Sequence, residues 1–151
     1  MKERNIIMSD GTVGISTTLA YGTDTSTTVT LIGNISSLGG PNQTRTSIDK
    51  STFDSSDNYK EFMPGMIDAG EITAEFNYDG SAAGTANNLN TLLQDTSTSA
   101  TKIWTVTCPD TSKWQGSGFI SALSPTIPMD DKITQSLTIK LTGKTTFTDV
   151  A

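Results

Sequence analysis

The sequence predicts a mainly β domain: an antiparallel β-sandwich or open barrel with one flanking α-helix. Three observations carry that reading. Most ordered-looking segments are short and alternate apolar with polar residues, the period of a half-buried strand. Serine and threonine are used heavily, and threonine favours half-exposed strands. Only one segment carries helical spacing. With 151 residues the chain can bury a core without staples and reads as one domain. Residues 12–147 form that domain, residues 1–11 an N-terminal arm and 148–151 a short tail.

The elements follow in order. "TVGISTTLAYG" (12–22) is a first strand and "TDTSTT" a polar turn. "VTLIGNISSLGG" (29–40) is a second strand, ended by Gly39-Gly40-Pro41, and "NQTRTSID" (42–49) a third, largely polar one. "EITAEFNYDG" (71–80) is the clearest strand: Ile72, Ala74, Phe76 and Tyr78 alternate with Glu71, Thr73, Glu75 and Asn77. "TANNLNTLLQD" (85–95) places Ala86, Leu89, Leu92 and Leu93 on one side of a helix, with Thr85 as its N-cap. Three strands close the chain: "KIWTVTCP" (102–109), "KWQGSGFISALS" (113–124) and "KITQSLTIKLTG" (132–143). In the last, Ile133, Leu137, Ile139 and Leu141 face one way, and Thr134, Ser136, Thr138 and Lys140 the other. "GSG" (116–118) inside a strand pattern marks a bulge or a close backbone approach.

Residues 50–68 break the pattern. They have no period, carry several aspartates, and hold a Pro64-Gly65 pair that no helix or central strand tolerates. They read as a long loop. Yet Phe53, Tyr59, Phe62, Met63, Met66 and Ile67 make the segment greasy. Two placements are open: against the domain's own core, or in a neighbouring molecule. Loops of this length in a compact domain are usually functional or disordered.

Much chemistry is absent from the sequence. Without histidine the commonest general base and metal ligand is missing. The sole cysteine, Cys108, forms neither an internal disulfide nor a thiolate cluster, and in a strand-like run it reads as a buried, inert thiol. No P-loop, G-x-G-x-x-G or G-x-S-x-G occurs. Asp130-Asp131 reads as turn chemistry, and "DKSTFDSSDNYKE" (49–61) lacks the spacing of a calcium loop. The expectation is therefore no enzyme, no catalytic residues, no cofactor and no metal. A net charge of −6 argues against a nucleic-acid clamp and suits a surface that must not hold phosphate. No apolar run approaches the ~18 residues of a membrane span, and the basic start lacks a signal-peptide core, which points to a cytoplasmic origin.

"DSSDNYKEFMPGMIDAGEITAEFNYD" (54–79) resembles the signature of major tail tube proteins from long-tailed, non-contractile bacteriophages. The matching parts are the aromatic-plus-acid run Tyr59 to Phe62, the element Pro64 to Glu71, and Asn77 to Asp79. "SALSPTIPMDDKITQSLTIKLTG" (121–143) is similar to the family's Ser-Pro, Asp-Asp-Lys and closing strand. The resemblance spans residues 29–147 and omits the extra immunoglobulin-like domain of some members.

The resemblance implies a structural virion protein: hexameric rings stacked into a hollow tube that conducts DNA, assembled in the host cytoplasm. Implied partners are further copies of the chain, a tape measure, a tail terminator and a baseplate initiator, with DNA only in transit. On that reading Phe53, Tyr59, Phe62, Met63, Pro64, Met66 and Ile67 make contacts between subunits or rings. Glu71, Thr73, Glu75 and Asn77 face either the lumen or ordinary solvent. A tube of a contractile tail or delivery system is the nearest alternative. A carbohydrate-binding module, with Trp104, Trp114 and Tyr21 as its platform, is an alternative of another class.

Overall fold

The structure is a computed structural model that describes residues 14–23, 30–81 and 84–149. The expected N-terminal arm (1–11), most of the first polar turn and the last two residues of the tail lie outside the described residues. Among the described residues, nine strands and one α-helix follow in chain order: β1 (Thr18–Gly22), β2 (Thr30–Ile32), β3 (Ile35–Gly39), β4 (Thr44–Asp49), β5 (Phe62–Asp68), β6 (Glu71–Asn77), α1 (Thr85–Leu93), β7 (Lys102–Thr107), β8 (Lys113–Thr126) and β9 (Thr134–Thr148). Seven strands form one antiparallel sheet in the order β2-β1-β7-β8-β9-β6-β3; β4 and β5 pair only with each other.

The sheet is curled into a half-barrel, and its topology shows how far. β2 and β3 are its two opposite edges, yet only Gly33 and Asn34 join them. So short a link spans about 10 Å at full extension, so the edges must approach one another. The expected single strand 29–40 is therefore two strands around a corner. Asn34 makes the corner at a φ of 60°, and its carbonyl accepts from the Asn77 amide at 2.9 Å, so pairing with β6 resumes at once.

The inner face gathers one residue in two from each long strand. Ile72, Ala74 and Phe76 of β6, Trp104 and Val106 of β7, Ile120 of β8, and Leu137, Ile139 and Leu141 of β9 are buried together. Period-two alternation on neighbouring antiparallel strands brings these positions onto one face once the register Ile72↔Ile139 and Ala74↔Leu137 is set. The helix covers this core with Ala86, Leu89 and Leu92. Leu93, expected inward, is half-exposed because it lies 100° round from Leu92. The N-cap is Gly84 rather than Thr85, which is the first helical residue. A Cβ at Gly84 would lie 2.4 Å from the Asp79 carbonyl, so the chain can enter the helix there only without a side chain.

The glycines of "GSG" do both things expected of them. The β8–β9 register shifts between Gln115 and Ser117. Trp104, fully buried at 0% exposure, lies against Gly118 and donates its indole N–H to the Gly118 carbonyl at 3.0 Å. A Cβ on Gly118 would sit 2.7 Å from the Lys140 carbonyl oxygen and 3.1 Å from Leu141. Cys108, just past the end of β7, is only half-buried, because the chain turns outward there.

The segment read as a loop over 50–68 is a loop only to Glu61; Phe62–Asp68 is strand β5. Pro64 and Gly65 are tolerated because β5 has a single neighbour, and the β4–β5 register shifts just beside them, between Arg45 and Ser47. The rule against proline in a central strand holds; this strand is not central.

Candidate assembly surfaces

The β4–β5 hairpin leaves the half-barrel as an arm. At its root the Asn42 amide donates to the Glu71 carbonyl at 3.2 Å, and the Leu141 amide donates to the Gly70 carbonyl at 3.0 Å. Gly70 holds a φ of 75°, and a Cβ there would fall 1.9 Å from the Asn42 carbonyl oxygen, so the two chain segments cross at contact distance. Asp68 locks the same corner. Its carboxylate accepts from the Gly70 amide at 2.8 Å and from Lys140 Nζ at 3.0 and 3.2 Å. The Gly70 amide first, and Lys140 second, hold that carboxyl below the usual carboxylate range.

Beyond the root the arm's large apolar side chains lie outside the core. Phe53, Tyr59, Phe62, Met63, Met66 and Ile67 are all exposed, as is Ile48 of β4; Met66 reaches 87%. Met63 stands opposite Ile48 on one face of the hairpin; Phe62, opposite Asp49, and Ile67, opposite Arg45, share the other, because the register shift between Arg45 and Ser47 resets the alternation. Pro64 is exposed between them. The placement against the domain's own core is not adopted in this structure. With Phe53 and Tyr59 in the connecting loop, these side chains occupy both faces and the tip of the arm.

The second surface is the outer face of β6 and its neighbours. Glu71, Thr73 and Glu75 are exposed there, in register with Lys140, Thr138 and Ser136 of β9 and flanked by Ser37 of β3. Asn77 is different: it is half-buried, and its Oδ1 is sealed from solvent without a hydrogen-bond partner. Lys140 shares the face, stands opposite Glu71, and is ion-paired with Asp68. The face is thus hydroxyl-rich with a surplus of carboxylates: Asp68, Glu71 and Glu75 against one lysine.

Sequence reasoning missed a third surface. The turn between β8 and β9 exposes Ile127 and Met129, and Ile133 and Tyr78 stand half-exposed beside it. "PTIPMDD" carries the same signal as the arm, apolar residues in a stretch without period, and was legible on that ground. A depression of about 320 Å³ next to this turn is lined by Tyr78, Ala86, Asn90, Leu123, Pro125 and Gln135.

Other candidates resolve plainly. Trp104 is sealed in the core against Tyr21, their rings 5.2 Å apart, so no sugar-stacking platform forms from them. Trp114 packs on Phe147 at 4.9 Å. Asp131 Oδ1 accepts from the Lys132 amide, a turn contact. Among the described residues no group of three or more His, Cys, Asp or Glu is placed to hold a metal, and no helix is long and apolar enough to cross a membrane.

The chain belongs to the lambda phage tail tube protein family, whose model matches residues 15–148. By that membership it is a tail tube protein, a structural component of the virion. Among solved structures it is similar to the tail of an empty gene transfer agent particle refined with C6 symmetry: 14% identity, TM-score 0.75, covering 92% of this chain and all of that one. It is also similar to the sheath-tube complex of an extracellular contractile injection system, at 16% identity and TM-score 0.69, with 95% of each chain covered. The SPP1 tail tube matches at 13% identity and TM-score 0.61, over 88% of this chain and 77% of that one. At these identities the likeness is one of fold. No curated protein matches the chain.

Proposed function

We propose that this chain closes into hexameric rings that stack into a hollow tube and conduct DNA from a phage particle into its host. One observation carries the proposal: the arm displays Phe53, Tyr59, Phe62, Met63, Met66 and Ile67 to solvent, outside the core. Repeated head-to-tail contact between unlike faces closes rings or extends filaments. Each large apolar side chain buried in a neighbour contributes roughly 1.5–3 kcal/mol. Several per subunit outweigh the cost of ordering the arm's side chains.

On this reading the hydroxyl-rich face of β6 and β9 lines the bore. Its surplus carboxylates repel phosphate, so DNA slides without sticking. Lys140 does not spoil the lining, because Asp68 and Glu71 flank it. Partners are then other copies of the chain and the proteins that measure, end and initiate the tube.

Electron microscopy of the purified protein at rising concentration tests the tube: hollow filaments are expected, and persistent monomers at every concentration sink the reading. Phe62→Asp is expected to fold normally and to form no filaments. Replacing Glu71 and Glu75 together by lysine is expected to leave tubes intact and slow DNA ejection; unchanged ejection removes this face from the bore. A tube enclosed by a contractile sheath is a second reading, favoured by the fold shared with the contractile injection system. Sheath protein that co-sediments with the tubes identifies that case.

A further inference from the structure

We infer that like charge brakes the association of this chain with itself, so that salt promotes tube growth instead of opposing it. The inference rests on the tube reading above and concerns how growth is restrained, not which surfaces touch.

The charges are unevenly placed. The arm over residues 44–68 carries Asp49, Asp54, Asp57, Glu61 and Asp68 against Arg45, Lys50 and Lys60. The end of the domain at the β8–β9 turn, where the Tyr78 amide donates to the Ile133 carbonyl, carries Asp79, Asp130 and Asp131 against Lys132. The outer face of β6 and β9 adds Glu71 and Glu75 against Lys140. Over the rest of the described residues acids and bases balance: Asp95 and Lys102, Asp110 and Lys113, Lys144 and Asp149. The negative surplus therefore falls on the arm, on the turn end and on the face assigned to the bore.

The first two of these also expose grease. Asp54 follows Phe53, Glu61 precedes Phe62, and Asp68 follows Ile67; Asp130 follows Met129, which is 98% exposed. Nothing among the described residues offers a surplus of cations to receive them. Lys50 already lies 4.0 Å from Glu61, and Lys140 3.0 Å from Asp68. Whichever surfaces meet, a copy that buries its apolar side chains in another brings a negative surface to a negative or balanced one.

The two forces differ in range. Apolar burial acts at contact and is not weakened by sodium chloride. The repulsion acts over the Debye length, about 30 Å at 0.01 M salt and about 3 Å at 1 M. Net charge away from zero keeps proteins soluble and monomeric, and charges that flank an apolar run guard it against premature association. Dilute subunits at low salt are thus held apart despite the exposed arm. The sign is diagnostic: an interface joining opposite charges weakens as salt rises, and this one strengthens.

The critical concentration for filaments, measured by sedimentation at 10 mM and 1 M sodium chloride, tests the brake. Two surfaces about 10 Å apart, each with a surplus of about two charges, give a fall of roughly 5- to 10-fold across that range. The second arm of the experiment is the variant Asp54→Asn/Asp57→Asn/Asp130→Asn/Asp131→Asn, whose four sites are exposed. It is expected to form filaments at 10 mM salt about as readily as wild type does at 1 M. Its remaining salt response reports what the salt does to apolar contact alone. A wild-type critical concentration that rises with salt, or does not move, overturns the inference and leaves the tube reading standing. The absence of filaments at every salt and concentration defeats the tube reading instead. Light scattering of the single chains then still decides the brake. The wild-type second virial coefficient is expected to be positive at 10 mM and to fall with salt, and that of the variant to change much less. Equal responses overturn the inference.

Discussion

The half-barrel and the arm use apolar side chains to opposite ends. In the half-barrel, Phe76, Trp104, Leu137 and Ile139 disappear into one interior, and the strands that carry them are paired through registers that leave little choice. In the arm, Phe62, Met63, Met66 and Ile67 are carried by a paired hairpin with one register shift and remain exposed. Regular backbone pairing therefore does not decide which apolar surface is used for folding. What decides is whether a second layer lies within reach. β6 has β9 beside it and α1 within the same core; among the described residues β5 pairs with β4 alone, and its large side chains stay outside that core. A hairpin with two open faces is a marginal structure in water, and a second copy is the natural source of the missing layer.

The contrast is most sharply tested by paired substitutions. Trp104→Ala is expected to cost about 3–5 kcal/mol of folding stability, a Tm fall on the order of 10 °C. Phe62→Asp is expected to leave Tm within error while abolishing filaments. Calorimetry and microscopy on both variants check this; a large Tm loss in Phe62→Asp would show that the arm belongs to the folding core after all.

The joint between the regions comes next. Gly70→Ala forces a side chain into the Asn42 carbonyl at a backbone conformation it resists, and is expected to cost at least about 1–3 kcal/mol. Hydrogen exchange should then show the Leu141 amide, which donates across the joint, losing protection before the rest of β9.

Smaller again is a pH effect. Asp49, Asp68, Asp79, Asp95 and Asp110 all have carboxyls held below their usual range. For Asp68 the main cause is the Gly70 amide. For the others it is a serine two residues on, through its hydroxyl at Asp49, Asp95 and Asp110 and through its amide at Asp79. A depressed folded value means that the unfolded chain holds more protons in the window between the two values. The stabilisation is complete above the unfolded carboxylate range, near pH 4, and is lost as pH falls through the folded values. Tm is expected to be flat above about pH 5 and to fall below pH 4. Changing all five to asparagine, which keeps the turn acceptor and removes the charge, should flatten that fall.

The smallest expected effect is at the polar face. The Lys140–Asp68 pair is exposed, and exposed pairs contribute little. Lys140→Met is expected to leave Tm within error and to make the face more negative. A marked Tm loss would show that the pair holds the arm root rather than tuning a surface.

Some of this was legible before any coordinates. The alternation in "EITAEFNYDG" placed Ile72, Ala74 and Phe76 inside, and the spacing of Ala86, Leu89 and Leu92 gave the helix its buried face. Period reports which side chains share a face, and burial follows period wherever a partner layer exists. The break at Gly33-Asn34 was not legible, because local pattern continues through a corner that swaps sheet edges. β5 was not legible either: Pro64-Gly65 excludes a central strand, and no local signal tells an edge from a centre. Asn77 was placed outward by parity, yet it is half-buried with its Oδ1 sealed from solvent.

By itself the sequence determined the mainly β class, the helix, the inward residues of the long strands and the grease in the segment 50–68, because periodicity and composition are local. Tertiary structure alone decided that this grease stays outside. It also decided that Asp68 and Lys140, 72 positions apart, meet at the joint, and that Gln135 is buried without a donor. Those facts depend on which strands become neighbours and which remain edges, and pairing across the chain is set by the register of the whole sheet rather than by any one segment.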